Sequence, residues 1–394
     1  DAGGKAGGLR AALEVFDPEG VHEIAITTTT GSWQAMLANA KDPAVDRIYH
    51  EAEVVIDGAL YAHVGIKNFG DGSQQGNPTK PNVRIKFNAF DAGKDGPEKL
   101  RNLRLKASGG DPSFLREPLF YDMLRTLTPA APRFGFAQVT INAEPYGLYL
   151  LLEHADKRMF KRVFNNTDGR NYDSENGCVG LNCPPKGCAT IAKYYAAQQT
   201  PIDGEPLDFS LLEALVTAIA QAPDAELAAQ VGALADLDNV FAVYALEALT
   251  SDYDGVLAAG TNFELYEDTK TAKLHIIRGG ADGTFSAFYE LDHPWGEPNH
   301  WCDYRADAFY GRAWTVPELR AQLDAKMRAL QCGPFQNSWM LPWLERYKKP
   351  LAVELASDPK ILYPASDMGG LVGELVSYII ARRHLLEDLF GECP

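Results

Sequence analysis

Between Ala235 and Phe285 the hydrophobic period changes once, from the steps of a helix to the alternation of strands, and this dictates a helix, a loop and a hairpin in that order. Leu237, Val240, Phe241, Tyr244, Ala245, Ala248 and Leu249 recur at three- and four-residue steps, which predicts a helix buried on one face. Its end, SDYDG, is acidic. Phe263, Leu265 and Tyr266, then Leu274, Ile276 and Ile277, flank the polar turn EDTKTAK and predict two antiparallel strands. Such a hairpin returns Asp282 close to Asp254 and Asn262. Two carboxylates and an amide at element ends make a hard-oxygen set suited to Mg²⁺, which completes its shell with phosphate and water. The same residue types also serve as caps and turn formers, so spacing alone leaves both readings open.

The chain has 394 residues, enough for two domains or one large two-lobed fold. No run of eighteen apolar residues is present, so no membrane span is expected. A formal charge of −16 argues against nucleic acid as the main partner, because phosphate backbones need clustered Lys and Arg; it suits a soluble protein, or one whose protein substrate is basic. The Gly/Ala-rich start, DAGGKAGGLRAA, has no apolar face and reads as a linker left after an export signal or lipoprotein segment is removed, with residues 1–20 outside the fold. Six cysteines, without the tight C-x-x-C pairs of a zinc site, favour disulfides and export. Cys178, Cys183 and Cys188 crowd one loop; the sequence does not fix the connectivity, and Cys178–Cys183 is one plausible local pair, which would leave Cys188 to reach a distant partner.

Val21 to Leu37 reads as strand, turn and short helix, and Val54 to Gly70 as a hairpin about an Asp-Gly turn. A small-residue loop follows, able to lay backbone N–H groups on phosphates. Val83 to Phe90 then alternates so that Arg84 and Lys86 share a face. The strand Leu100 to Ser108 leads to a helix capped by Asp111 with Pro112 in its first turn, an apolar side of Leu115, Leu119, Met123 and Leu124, and a kink expected at Pro118. A second hairpin turns at NAEPYG and runs to Glu153 and His154, where the chain passes into a helix. Residues 171–195 read as a Cys-rich insertion, Asp208 to Val231 as one or two scaffold helices, and the aromatic stretch beyond Phe285, with His293 and His300, as an irregular segment closed by Cys302. Val316 to Phe390 is mostly helical, ending with the basic pair Arg382 and Arg383.

Three pieces, SDYDG (251–255), NFELY (262–266) and GGADGTF (279–285), resemble the CotH family of spore-coat and secreted kinase-like proteins, with their Asn-Trp-Asp-Gly-like motif, Asn-aromatic-x-Leu-Tyr strand and Trp-Asp-x-Asp-like turn. The resemblance runs from about residue 20 to 290 and includes the NAEPYG turn, with Ala143 where glycine is usual. It implies an α+β, two-lobed kinase-like fold: a β-rich lobe over 21–153 and a helical lobe over 154–394. It further implies a secreted or cell-surface protein, lipid-anchored or free, exported as bacterial proteins are, monomeric, and a metal-dependent kinase passing the γ-phosphoryl of ATP to Ser or Thr of a protein.

In that reading Asp254, with Asp252 sharing the role, orients or deprotonates the acceptor hydroxyl, and Asn262 and Asp282 hold Mg²⁺ or Mn²⁺. Lys86 touches the phosphates and pairs with Glu117 as a helix glutamate does in protein kinases, with Lys80 and Lys106 as rivals, and Glu153 lies near the adenine. Two features depart from the pattern. Asp254 and Asn262 are eight residues apart, against five in the protein-kinase loop. Gly279 and Gly280 stand where a Trp and the first acid are usual. An inactive relative that serves as a surface binding or adhesion protein is therefore the alternative, and a metal-dependent hydrolase a third, disfavoured by the lack of a His-rich zinc shell.

Overall fold

The computed structural model describes residues 14–40, 47–70, 79–174, 180–184, 186–199, 208–286, 290–291, 307–361 and 368–394. The chain is α+β and divides into two units. The first takes residues up to Gly109, Arg133–His154 and Ala352–Tyr363; the second takes Gly110–Pro132, Ala155–Leu351 and Pro364–Pro394. The division is therefore not one cut near Glu153, because each unit is assembled from separated stretches.

In the first unit seven strands close a barrel: β1 (Val21–Thr28), β2 (His50–Ile56), β3 (Ala59–Asn68), β4 (Val83–Lys86), β5 (Asn102–Lys106), β6 (Phe134–Ile141) and β7 (Glu144–Glu153). The spatial order is β1-β2-β3-β4-β5-β7-β6, closed by the parallel pairing of β1 with β6. Closure leaves no exposed edge. Alternation sorts the faces as expected: Val83 and Ile85 enter the core while Arg84 and Lys86 are half-buried on the outside. The two hairpins turn where the sequence indicates. Asp57 and Gly58 have φ of 47° and 86°, and Asn142 and Ala143 of 50° and 64°, so Ala143 occupies a conformation that glycine adopts without strain.

Thr29 caps the helix Thr30–Asn39 by accepting from the Ser32 N–H, and Trp33 of that helix donates to the Tyr146 hydroxyl at 2.9 Å. Val15 and Phe16, within the stretch expected to be linker, are buried in the barrel core. The late stretch Ala352–Tyr363 joins this unit through a buried ion pair, Asp358 with Lys80 at 2.6 Å, and through Glu354, which accepts from Gln138 at 2.8 Å.

The second unit is mainly helical but carries a four-stranded antiparallel sheet. Its order is β11 (Lys273–Arg278), β10 (Phe263–Asp268), β8 (Arg170–Asp173) and β9 (Ala196–Gln199). The Cys-rich insertion is thus the excursion between two paired strands. Within it Cys183 bonds Cys188, not Cys178; Cys178, like Cys302, His293 and His300, lies outside the described residues. Cys332 bonds Cys393.

The helix Leu237–Thr250 is buried from Asn239 to Thr250 on every side, more than the single buried face expected. Asp236 caps it, and the Asn239 amide clamps it to β11 by accepting from Ile276 N–H at 2.7 Å and donating to Ile276 carbonyl at 3.2 Å. The helix near Asp111 begins later than expected, at Arg116, because the Asp111 carboxylate closes a turn onto Ser113 and Arg116 N–H groups instead. Pro118 falls in that helix's first turn, where no backbone donor is needed, so no kink follows. Among the described residues no helix is long and apolar enough to cross a membrane.

Candidate active site

The C-terminal end of Leu237–Thr250 and the turn after β11 meet within the second unit. Ser251 adopts a left-handed conformation, φ 49°, that stops the helix and turns the chain toward Asp252. Its hydroxyl is gripped from the helix Met368–Phe390: Tyr378 and Arg382 each donate to Ser251 Oγ at 2.8 Å. The opposing turn is fixed by two backbone bonds, Phe285 N–H to Thr250 carbonyl at 2.8 Å and Gly279 N–H to Asn262 carbonyl at 2.7 Å.

Arg278, fully buried at the end of β11, ties these segments together. Its guanidinium pairs with Glu247 at 2.8 Å and with Asp252 at 2.5 Å, donates to Gly280 carbonyl at 2.9 Å and also donates to Asn262 carbonyl. Burial pulls its pKa down, but Glu247 and Asp252 raise it on balance, so it stays charged. Glu247 in turn accepts from the Val256 and Leu257 N–H groups at 3.1 and 2.9 Å, which shapes the loop after Asp254. Burial pushes the Glu247 and Asp252 carboxyls up, opposed in each case by Arg278.

Neither Glu247 nor Arg278 stands out in the sequence reading. The signal that could have found them is a charged residue inside an apolar helix and another closing an apolar strand. Two such groups in a core must find each other.

Asp254 is the exposed member. It accepts from Asn262 Nδ2 at 2.7 Å, and the same amide donates to the Asp254 backbone carbonyl at 2.9 Å. Partial burial, then the charges of Asp252 and Asp282, push its pKa up to about 6. The structure thus brings Asp252, Asp254, Asn262 and Asp282 into one cluster.

Glycines make the approach possible. A Cβ on Gly283 would lie 3.1 Å from Asp254 Cβ, and one on Gly110 would collide with the Asp282 carboxylate. Gly279 has no room for a Trp: its Cβ would sit 2.9 Å from Asn262 carbonyl oxygen. Glu117, buried on the helix Arg116–Arg125, accepts from Ala281 N–H at 3.1 Å and from the Tyr121 hydroxyl at 3.1 Å, so it supports the turn that carries Asp282.

The remaining expected site residues belong to the barrel unit. Lys86 lies on the outer face of β4, its ammonium 5.5 Å from the ring centre of Tyr49. Lys80 is buried against Asp358. Glu153 accepts from Arg133 N–H at 3.0 Å and pairs with its guanidinium at 3.1 Å.

Among the described residues no three His, Cys, Asp or Glu side chains form a self-contained metal cage. With Asp252 committed to Arg278, the set left is Asp254, Asn262 and Asp282: two carboxylates and an amide. That donor chemistry fits a hard cation that brings phosphate oxygens of its own, as Mg²⁺ does.

A barrel unit with a mixed helical unit, and in the latter an arginine-anchored cluster of acids at a helix end and a hairpin end, define the class: an α+β protein with an acidic, oxygen-donor loop site. A family profile described as "CotH kinase protein" matches residues 66–386, well over half of the chain, and the chain belongs to the CotH family. It is also similar to the inner spore coat protein H of Bacillus subtilis (strain 168), 26% identical over 190 residues, covering 47% of this chain and 50% of that protein. The match thus spans about half the length of that relative.

Proposed function

We propose that this chain is a metal-dependent phosphotransferase that moves the γ-phosphoryl of ATP to a Ser or Thr hydroxyl of a protein. The observation that carries the proposal is the state of Asp254: exposed, oriented by Asn262, and pushed up to about 6 by partial burial and the carboxylates of Asp252 and Asp282. Phosphoryl transfer asks for alignment of the acceptor and neutralisation of phosphate charge, with little covalent chemistry. At neutral pH Asp254 is an anion able to accept the hydroxyl proton. Asp252, buried on Arg278, holds the loop that presents it. Asn262 and Asp282 are the residues that would hold Mg²⁺ or Mn²⁺, and the bound ion would supply charge neutralisation at the phosphates. Glu117 would keep the Asp282 turn in register. Two disulfides suit an oxidising, extracellular or surface location, as does likeness to a spore-coat protein.

One observation favours a second reading, that of a surface binding protein on a kinase-like scaffold without catalysis. At Gly280 the family's first turn acid is absent, and the backbone carbonyl meets Arg278 instead. Calorimetric titration with Mg-ATP and Mn-ATP separates the two. The phosphotransferase reading expects binding by the parent that is lost in Asp282→Ala, and no binding by the folded parent overturns it.

A further inference from the structure

Beside the acidic cluster, the helix Arg116–Arg125 carries a cation to which the fold gives no acceptor. Three residues of this helix hold the end of β11 and the turn after it: Glu117 accepts from Ala281 N–H at 3.1 Å, the Tyr121 hydroxyl meets the Gly279 carbonyl, and the Phe120 ring centre lies 5.4 Å from the Arg278 guanidinium. Arg116 stands one helical turn before Phe120, on the same side. Side chains on a helix lean back over the preceding turn, which here is the stretch from Gly110 to Leu115. At its start Gly110 abuts the Asp282 carboxylate, so that a Cβ there would collide with it. Arg116 is thereby set at the rim of the cluster, inside the second unit.

Its bonding is the opposite of that of Arg278. Arg278 is fully buried and spent on Glu247, Asp252 and two carbonyls. Arg116 is half-buried, and its guanidinium makes no hydrogen bond or ion pair among the described residues. The acid on its own segment is already occupied: the buried Asp111 carboxylate accepts from Ser113 N–H at 3.0 Å, from the Ser113 hydroxyl at 2.5 Å and from the Arg116 backbone N–H at 2.8 Å. The helix start is thus held by the backbone of Arg116, and its side chain is left over. Its charge nevertheless reaches the cluster. Burial, then Asp254, Asp282 and Asp252, raise the pKa of the half-exposed Tyr253 hydroxyl, and Arg116 opposes them. A guanidinium brings five donors in a planar fork, and one held at an acidic rim without protein acceptors is open to an incoming anion.

We propose that Arg116 is a catalytic residue of the phosphoryl transfer, its guanidinium donating to oxygens of the phosphoryl group as that group passes to the acceptor hydroxyl. The proposal rests on the phosphotransferase reading and adds to it the cation that the acids require. In the step, the acceptor oxygen bonds to the γ-phosphorus, the bond from that phosphorus to the bridging oxygen breaks to leave ADP, and the hydroxyl proton goes to Asp254. Negative charge then spreads over three equatorial oxygens, beside carboxylates that repel it. A cation at the rim offsets that repulsion, and its fork fits two of the oxygens at once.

The test is calorimetric titration of the full chain with Mg-ADP, alone and with aluminium fluoride, which stands in for the phosphoryl group in flight. The parent should bind Mg-ADP more tightly with the fluoride than without it. Arg116→Gln should melt like the parent, bind Mg-ADP like the parent, and lose at least tenfold of the fluoride-dependent tightening, the worth of about one charge-assisted hydrogen bond. Arg116→Lys should recover part of the loss, since an ammonium supplies the charge without the fork. Parental tightening in Arg116→Gln, equal loss of both affinities in that variant, or a parent that binds Mg-ADP with no tightening each overturns the role of Arg116 and leaves the nucleotide reading standing. A folded parent that binds neither overturns the phosphotransferase reading, and the role of Arg116 with it.

Discussion

Asp254 titrates in the folded protein near 6, against an ordinary value of 3.8, because partial burial and then the charges of Asp252 and Asp282 disfavour its ionised form. Between those two values the folded chain holds a proton that the unfolded chain has released, so stability falls as pH rises through that window and the loss persists above it. Asp254→Asn removes this liability while keeping an oxygen for Asn262. Thermal unfolding of parent and variant at pH 4 and pH 7 should show the variant gaining on the parent at the higher pH, and a constant difference would contradict the assigned environment. The position of Asp254 was legible from its motif. Its pKa was not, because burial, the largest cause, follows from the fold, and one of the two charges that add to it comes from Asp282, 28 residues away in sequence.

The helix Leu237–Thr250 and strand β11 are both readable from hydrophobic period, yet their working partnership depends on Glu247 and Arg278, which periodicity treats as exceptions. The pair is fully buried, with Asp252 as a third member. Breaking such a pair leaves an uncompensated charge in the core, so Arg278→Met should cost roughly 3–5 kcal/mol. Arg278→Lys should recover little, since one ammonium cannot serve the acceptors that the guanidinium fork spans. Urea unfolding at pH 7 measures both, and a loss below about 1 kcal/mol for the Met variant would show that the cluster relaxes around the gap. The element boundary at Asp111 failed for a related reason. An Asp followed by Pro signals a helix start, but this carboxylate accepts from Ser113 N–H in a preceding turn and from Arg116 N–H, and the helix begins only at Arg116.

At the scale of the molecule, each unit borrows segments that are distant in the chain, and no local pattern announces the borrowing. Asp358 reaches Lys80 across 278 residues. The Cys332–Cys393 bond closes a separation of 61 residues, and Cys183–Cys188 one of 5. Restricting the unfolded chain over the longer span is worth about 4 kcal/mol, over the shorter about 2 kcal/mol. The double variant Cys332→Ser with Cys393→Ser should therefore lose more stability than Cys183→Ser with Cys188→Ser when both are unfolded in urea. Equal losses would mean that native packing, not chain restriction, sets the worth of the longer bond.

The α+β class, both barrel hairpins, the helix before SDYDG and the hairpin after it followed from the sequence, because alternation, turn residues and helical spacing act over a few neighbours. So did the family, whose motifs lie in the same stretch. Barrel closure through β1 and β6, the pairing of Cys183, the inclusion of Val15 and Phe16 in the core and the Glu247–Arg278–Asp252 anchor were decided only by tertiary structure. Each is a contact between groups far apart in the chain, selected by which buried charges and strand edges must be satisfied at once.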